Sequence, residues 1–303
     1  MHGRKTLVVL TGPTGSGKSD LAVEIAEALE TEIVSADSRQ IFKGIPIATA
    51  VPGKELRERV RHHLVETLPL DSYYSAAMFE QEALGILDAI WRKSDYAVMC
   101  GGSMMYVDAV CKGIDLLPTI SDEVRREALA IYENGGLEAL RETLRRIDPD
   151  YLATADPMNH RRLVHAIEIT MQAGVPCSRL RTGARAERPF GTVMLAIGHS
   201  REALFGRINR RVERMVEAGL EQEARAVYHL RHLNSLNTVG LKEMFAYIDG
   251  LMDLPTATAR MAKNTRVYAK KQLLWLSKQT GAAILDPSGP MLGEALRIIN
   301  SGA

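Results

Sequence analysis

Residues 6–19 read TLVVLTGPTGSGKS, and the order of residue types in this stretch decides the fold. Residues 6–10 form a short aliphatic and β-branched run, the composition of a buried strand. From Gly12 the chain spells GPTGSGKS, a full match to GxxxxGK[ST], and over 20–29 apolar and polar residues alternate at helical period. Strand, glycine loop and helix in that order make an anion cradle. Gly12, Gly15 and Gly17, with Thr14 and Ser16 between them, let backbone N–H groups turn inward, and the helix opening near Lys18 points its positive end at the bound oxyanion. Lys18 adds a point charge, and the Ser19 hydroxyl can ligate Mg²⁺ held by the same phosphates. The stretch predicts a di- or triphosphate site and leaves the reaction open.

Working outward, further strand-like runs occur at 32–35, 96–100, 192–198 and 282–285, separated by helical stretches that imply crossovers and a parallel sheet. Between 121 and 187 the texture changes: strand-like runs are absent and helices open at caps. Ser121 precedes DEV, and Asp156-Pro157 reads as a helix start with Pro at the first position. The expected class is therefore α/β, a P-loop parallel sheet with helices on both faces over 1–120 and 188–303, interrupted by an all-helical inserted domain over 121–187. The polar TGARAERP stretch at 182–189 marks the return to the sheet, and the later chain is mostly helical, with breaks at 234–240 and 253–255.

Composition narrows the function classes. A chain of 303 residues, 46% hydrophobic and 25% charged, is neither collagen, coiled coil nor disordered tail. Lys plus Arg (38) nearly cancels Asp plus Glu (37), so any nucleic-acid surface must be local. Three cysteines without a CxxC pair write neither a disulfide framework nor a four-thiolate zinc site, which suits a reducing cytoplasm. No run approaches the roughly 18 apolar residues of a membrane span.

A nucleotide hydrolase would place a metal-holding acid at the end of an apolar strand, but the run at 96–100 ends in Gly101-Gly102-Ser103. The nearest candidate acid is Asp37, in SADSRQ after the second strand, where the carboxyl end of a parallel strand sits beside the phosphate loop. An Asp in that place can equally cap a turn. Arg207, Arg210, Arg211 and Arg214 cluster on one flank of a helix whose other flank carries Leu204, Ile208, Val212 and Met215; Glu213 and Glu217 are spaced to pair with Arg210 and Arg214. Between Asp253 and Asp286 no acid occurs, while Lys263, Arg266 and Lys270 share a helical face, an arrangement better suited to phosphates than to internal ion pairs. His62 and His63 are adjacent, so they do not converge on one ion and suit structure or channel lining better.

Taken together, GPTGSGKS at Gly12, SADSRQIF at Ser35, IATAVP at Ile47, HHLVE at His62, GGSMMYVDA at Gly101, NHRRLVHAIEI at Asn159, TVGLKE at Thr238 and NTRVYAKKQLLW at Asn264 resemble the tRNA dimethylallyltransferases, also called tRNA isopentenyltransferases, collinearly over nearly the whole chain. The resemblance implies transfer of a five-carbon prenyl group from dimethylallyl diphosphate to N6 of the adenosine next to the anticodon. It implies diphosphate held by the loop from Gly12 to Ser19 with Arg207 and Arg211, Mg²⁺ on Ser19, Asp37 as general base with Lys18 and Ser103 at the reacting centre, and tRNA contacts from Asp37, Ser38, Arg39, Gln40, His160, Arg161, Arg162 and His165, to which the basic face adds Lys263, Arg266 and Lys270. An adenosine in a stacked loop reaches such a site only by leaving its stack. The implied protein is a cytoplasmic monomer without a membrane segment, whose insertion contacts the anticodon arm. The chain departs from the family pattern at Pro46, Ala48, Val51, Arg61, Ser103, Val267 and Lys271; Val51 removes a lysine near the phosphates. Two rivals stand beside this reading: a small-molecule kinase using ATP on the same loop, and a tRNA-binding relative without catalysis.

Overall fold

The computed structural model describes residues 5–183 and 185–302. Residues 1–4 and 303 of the expected core, and Ala184 within the TGARAERP stretch, lie outside the described residues.

The first unit comprises residues 1–112 and 187–303. In chain order it contains β1 (Thr6–Thr11), α1 (Lys18–Ala28), β2 (Ile33–Ser35), α2 (Pro46–Thr49), α3 (Lys54–Arg59), β3 (His62–His63), α4 (Ala76–Trp91), β4 (Tyr96–Cys100) and α5 (Met104–Lys112). The second unit, residues 113–186, holds α6 (Asp122–Ile147), α7 (Pro149–Thr154), α8 (His160–Ala173) and α9 (Cys177–Leu180). The chain then returns to the first unit with β5 (Gly191–Ile197), α10 (Arg201–Glu217), α11 (Leu220–Val227), α12 (Leu241–Ile248), α13 (Leu254–Leu276), β6 (Ala283–Leu285) and α14 (Met291–Gly302).

Among the described residues six strands pair in parallel in the order β3-β2-β4-β1-β5-β6, so β1 lies between β4 and β5. Every residue of β1 is buried, as a strand covered on both faces requires. The pleat sends Leu7 and Val9 into one hydrophobic cluster, with Phe79, Leu87, Val107, Val212 and Met261, and Val8 and Leu10 into another, with Leu21, Ile25, Val193, Leu195 and Ile299. The expected fold class is the observed one. The pair β3 falls on the two histidines and escapes sequence reading because two residues carry no periodicity; Ile33 registers with His62 and Val34 with His63.

The helical unit opens at Gly113, ahead of the Ser121 cap, because its entry and exit segments are tied to one another: the Asp115 carboxylate accepts from the Thr182 and Gly183 N–H groups at 3.1 and 3.2 Å. Ser121 caps α6 by accepting from Val124 N–H, and α6 breaks at Gly136, whose φ of 62° and ψ of −154° are not helical. Asp156-Pro157 does not start a helix. The Asp156 carboxylate turns back onto the Met158 N–H, and α8 begins at His160 under an Asn159 cap; the proline that opens a helix is Pro149, capped by the buried Asp148. This unit has its own core around Leu140, Leu144, Leu163 and Ile167.

Candidate active site

The site assembles at the carboxyl ends of β1, β2 and β4, where a parallel sheet leaves its loops. Three backbone bonds interlock those loops: Gly101 N–H donates to the Leu10 carbonyl, Ala36 N–H to that of Cys100, and Ser103 N–H to that of Ala36. This closeness explains the double glycine. A Cβ on Gly101 would lie 2.2 Å from the Ala36 carbonyl oxygen, and one on Gly102 would lie 2.3 Å from the Gln272 side-chain nitrogen.

The phosphate loop runs from β1 into α1 with Gly12, Gly15 and Gly17 all at positive φ, conformations that side chains rarely adopt. Its shape is held from outside. Arg207 Nε on α10 donates to the Gly15 carbonyl at 2.7 Å, and His199 Nε2 lies 2.8 Å from the Ser16 carbonyl, which fixes that nitrogen as the protonated one because a carbonyl only accepts. From α13 the Gln272 carboxamide accepts from Thr14 N–H at 2.9 Å. Ser16 Oγ is buried without a hydrogen-bond partner among the described residues.

Lys18 Nζ donates to the Pro13 carbonyl at 2.8 Å and lies on the wall of a cavity shared with Thr14, Ser19, Asp37, Arg211 and Tyr268. Burial pulls its pKa down from 10.5 to about 8, opposed by Asp37 and reinforced by Arg211. Burial likewise pulls Arg211 down, against the pull of Asp37. A site that keeps two desolvated cations without a full complement of carboxylates is built for an anion. Cys100, on the same wall, is pushed up to about 11 by burial and is a neutral lining thiol at pH 7.

Asp37 does two things at once. Its Oδ1 caps the turn after β2, accepting from the Arg39 N–H at 2.9 Å and the Gln40 N–H at 3.4 Å, while the residue lines both the Lys18 cavity and an adjoining one of about 350 Å³. The larger cavity is walled by Ser103, Val212, Met215, Thr238, Met261 and Tyr268, so that a few apolar side chains stand among polar ones. Ser103 Oγ accepts from Ser38 N–H at 2.8 Å and donates to Ser38 Oγ, so it props the Asp37 turn from below. Burial raises the Tyr268 phenol, with Asp37 adding to the effect.

The other expected residues fall into distinct environments. Arg39 donates to the Asn234 and Ser235 carbonyls, and Gln40 to the carbonyls of Thr49 and Ala50, so both side chains bind the protein itself. Arg207 and Arg211 line a wide mouth with Gly15, Gly17, Lys18, Arg210, Arg214 and Val51. Among the described residues no ion pair joins Arg210 or Arg214 to Glu213 or Glu217; Arg214 Nε faces the Arg210 carbonyl instead. On α13, Lys263 is exposed, while Arg266 donates to Asn209 Oδ1 and both Arg266 and Lys270 lie 5.9 Å from the Phe205 ring centre. In the helical unit His160 stacks on Tyr132, His165 pairs with Glu168, and Arg161 and Arg162 are exposed. His62 donates through Nδ1 to the Val60 carbonyl and lines the Lys18 cavity, whereas His63 holds Glu32.

Sequence reasoning missed Gln272, His199, Tyr268 and Glu223. Glu223 on α11 accepts from the Ile47 and Ala48 N–H groups at 2.8 Å, capping α2 where Pro46 stands in place of the family's acid. Only Gln272 and Tyr268 lay within a quoted motif; His199 and Glu223 carry no local signal.

Fold and site define a phosphate-loop enzyme in which an anion cradle and a carboxylate share one cavity. The chain belongs to the IPP transferase family, whose model matches residues 40–279. It is 50% identical over 275 residues to tRNA dimethylallyltransferase 2 of Porphyromonas gingivalis, covering 91% of this chain and 92% of that one. Among solved structures, the tRNA isopentenylpyrophosphate transferase of Bacillus halodurans superposes with a TM-score of 0.72 at 32% identity, over 98% of this chain and 95% of that one. A eukaryotic dimethylallyltransferase acting on tRNA superposes with a TM-score of 0.76 at 26% identity, over 93% of this chain and 74% of that one.

Proposed function

We propose that this enzyme transfers the dimethylallyl group of dimethylallyl diphosphate to N6 of the tRNA adenosine on the 3′ side of the anticodon, releasing diphosphate. The carrying observation is that Lys18, Arg211 and Asp37 line one cavity, with a second cavity that includes Val212, Met215 and Met261 adjoining at Asp37. Relatives at half identity over nine tenths of the chain bear the name of that transferase.

The chemistry follows from the residues. An allylic C1–O bond breaks as the loop amides, Lys18, Arg207 and Arg211 stabilise charge on the departing diphosphate. The N6–C1 bond forms, and the amine's surplus proton passes to Asp37, whose carboxylate both orients the amine and accepts from it. Ser103 supports the reaction through the turn that carries Asp37. The residues present fit Mg²⁺: Ser19 offers a hard oxygen in the cavity of the phosphate loop and would hold the ion beside bound phosphates, where it would supply further charge neutralisation to the leaving group. Among the described residues no group of three or more His, Cys, Asp or Glu is placed to hold a metal, and a Ser-plus-phosphate site needs none.

RNA binding is assigned to the exposed Lys263 with Arg266 and Lys270 on α13, to the Asp37–Gln40 turn through its backbone and Asp37 itself, and to His160, Arg161, Arg162 and His165 of the helical unit, which reads the anticodon arm. The target base leaves its stack to reach Asp37. No described helix is long and apolar enough to cross a membrane. We assign the enzyme to the cytoplasm, where its substrate is found, as a monomer, since one chain supplies every group named.

The test offers purified protein either dimethylallyl diphosphate with unmodified tRNA or ATP with a metabolite panel, and reads by mass spectrometry which acceptor gains mass. Gain of one five-carbon unit on tRNA is expected. Phosphate gain on a metabolite without prenyl gain, or tight tRNA binding with no gain, would overturn the reading.

A further inference from the structure

Helix α13 does more than present basic residues. Gln272, 2% exposed, projects from it between two loops of the site. Its Oε1 accepts from the Thr14 N–H at 2.9 Å, and its Nε2 donates to the Gly102 carbonyl at 2.8 Å. The Thr14 nitrogen belongs to the Pro13–Thr14 peptide, and the carbonyl of that same peptide accepts the Lys18 ammonium at 2.8 Å. A peptide is planar, so fixing its N–H fixes the direction of its C=O. Gly102 is followed by Ser103, whose hydroxyl props the turn that carries Asp37. One carboxamide thus sits between the group that aims Lys18 and the loop that supports Asp37.

We infer that Gln272 is a positioning residue for the transfer reaction: it clamps the Pro13–Thr14 peptide to the Gly102 loop and so aims Lys18 at the leaving diphosphate, with both halves of its carboxamide committed to protein partners. This rests on the function proposed above for the same cavity.

Three features support a role tied to this geometry. The carboxamide both accepts and donates, and here each half has a partner of the right kind. Its helix is anchored on either side, by Trp275 Nε1 donating to Asp108 at 2.6 Å and by Asn264 donating to the buried Glu243 at 2.7 Å, so Gln272 is held by a rigid element. Gly102 leaves no space for a Cβ on the side that Gln272 occupies.

The chemistry of the isostere gives the test. A protonated Glu at 272 reproduces the amide, its C=O accepting from Thr14 and its O–H donating to Gly102. Ionised, it faces the Gly102 carbonyl with a lone pair and adds negative charge beside the anion cradle. Burial raises a carboxyl toward neutrality, so acid pH selects the isosteric form. Inorganic pyrophosphate is titrated by calorimetry into wild type, Gln272→Met and Gln272→Glu from pH 5.5 to pH 8.5, each Kd being divided by that of wild type at the same pH to cancel the probe's own protonation. Gln272→Met is expected to bind roughly tenfold more weakly, the size of one lost hydrogen bond with its partner left unpaired. Gln272→Glu is expected to bind within about threefold of wild type at pH 5.5 and to weaken progressively as pH rises, since a factor of three is less than one hydrogen bond. Gln272→Met as tight as wild type, or Gln272→Glu no tighter than Gln272→Met at pH 5.5, overturns the inference. Wild-type prenyl transfer to tRNA is measured alongside; its absence would sink the proposed function and leave the pyrophosphate ratios to decide this point by themselves.

Discussion

Lys18 is held at a cost, and replacing it should make the ligand-free protein more stable while disabling it. Burial lowers its pKa from 10.5 to about 8, so at pH 7 the folded protein keeps a proton on an ammonium that would rather be in water. The difference corresponds to about 3 kcal/mol against folding. Lys18→Met removes that cost and also the bond to the Pro13 carbonyl, about 1 kcal/mol. A net stabilisation of about 2 kcal/mol, or roughly 3 °C in melting temperature, is expected for the free protein. The sign fixes the pH window. The cost is fully present below pH 8, shrinks as the folded lysine loses its proton, and is gone above pH 10.5, where both states are deprotonated. The gap between variant and wild type should therefore close from pH 8 upward. Saturating pyrophosphate should offset most or all of that advantage at pH 7, because only wild type retains the charge-assisted contact, a difference of about 10–100-fold in Kd or about 1.4–2.7 kcal/mol. Scanning fluorimetry with and without pyrophosphate at pH 7 and pH 10 checks all of this. A free Lys18→Met that melts at or below wild type at pH 7 would refute the view that Lys18 is a desolvated cation waiting for an anion.

Asp37→Asn keeps the oxygen that caps the turn and removes the base, so single-turnover transfer should fall by about 10²–10⁴ with tRNA affinity nearly unchanged; an equal loss of affinity would contradict the base assignment. Gly101→Ala drives a Cβ into the Ala36 carbonyl and should destabilise by about 3 kcal/mol or more, read as a lower urea midpoint. Neutralising Lys263 should lower the slope of log affinity for tRNA against log salt by about 0.7–0.9 with the melting temperature unmoved, whereas Arg266→Gln should lower the melting temperature as well, because Arg266 also holds Asn209 and lies against Phe205.

The sheet was legible because parallel strands buried on both faces are written as short unbroken apolar runs, each ending at the loop that bears chemistry. β1 with its glycine loop is the clearest case. What failed to show was of two kinds. Short elements have no period to read, so β3 was invisible and the Asp156-Pro157 signal, real as a turn, looked like a helix start. Long-range side-chain bonds have no local signature at all: nothing near Glu223 says that it caps α2, and nothing near His199 says that it holds the Ser16 carbonyl.

The same distinction separates what a motif marks from what it does. Arg39 and Gln40 stand in one of the strings that carry the family resemblance, yet their side chains bind Asn234, Ser235, Thr49 and Ala50. Asn264 and Gln272 stand in the basic string and serve the Glu243 corner and the phosphate loop. Rigid support is what such residues supply, and a reaction whose barrier falls mainly through stabilising a leaving group needs its cations aimed before substrate arrives. A helix that offers Lys263 to solvent on one face and Gln272 to the anion cradle on another joins the surface assigned to RNA to the machinery assigned to diphosphate through one rigid body. RNA contact and leaving-group geometry are then read by opposite sides of α13, so a substitution on its buried side should appear in diphosphate binding and one on its exposed side in the salt dependence of tRNA binding.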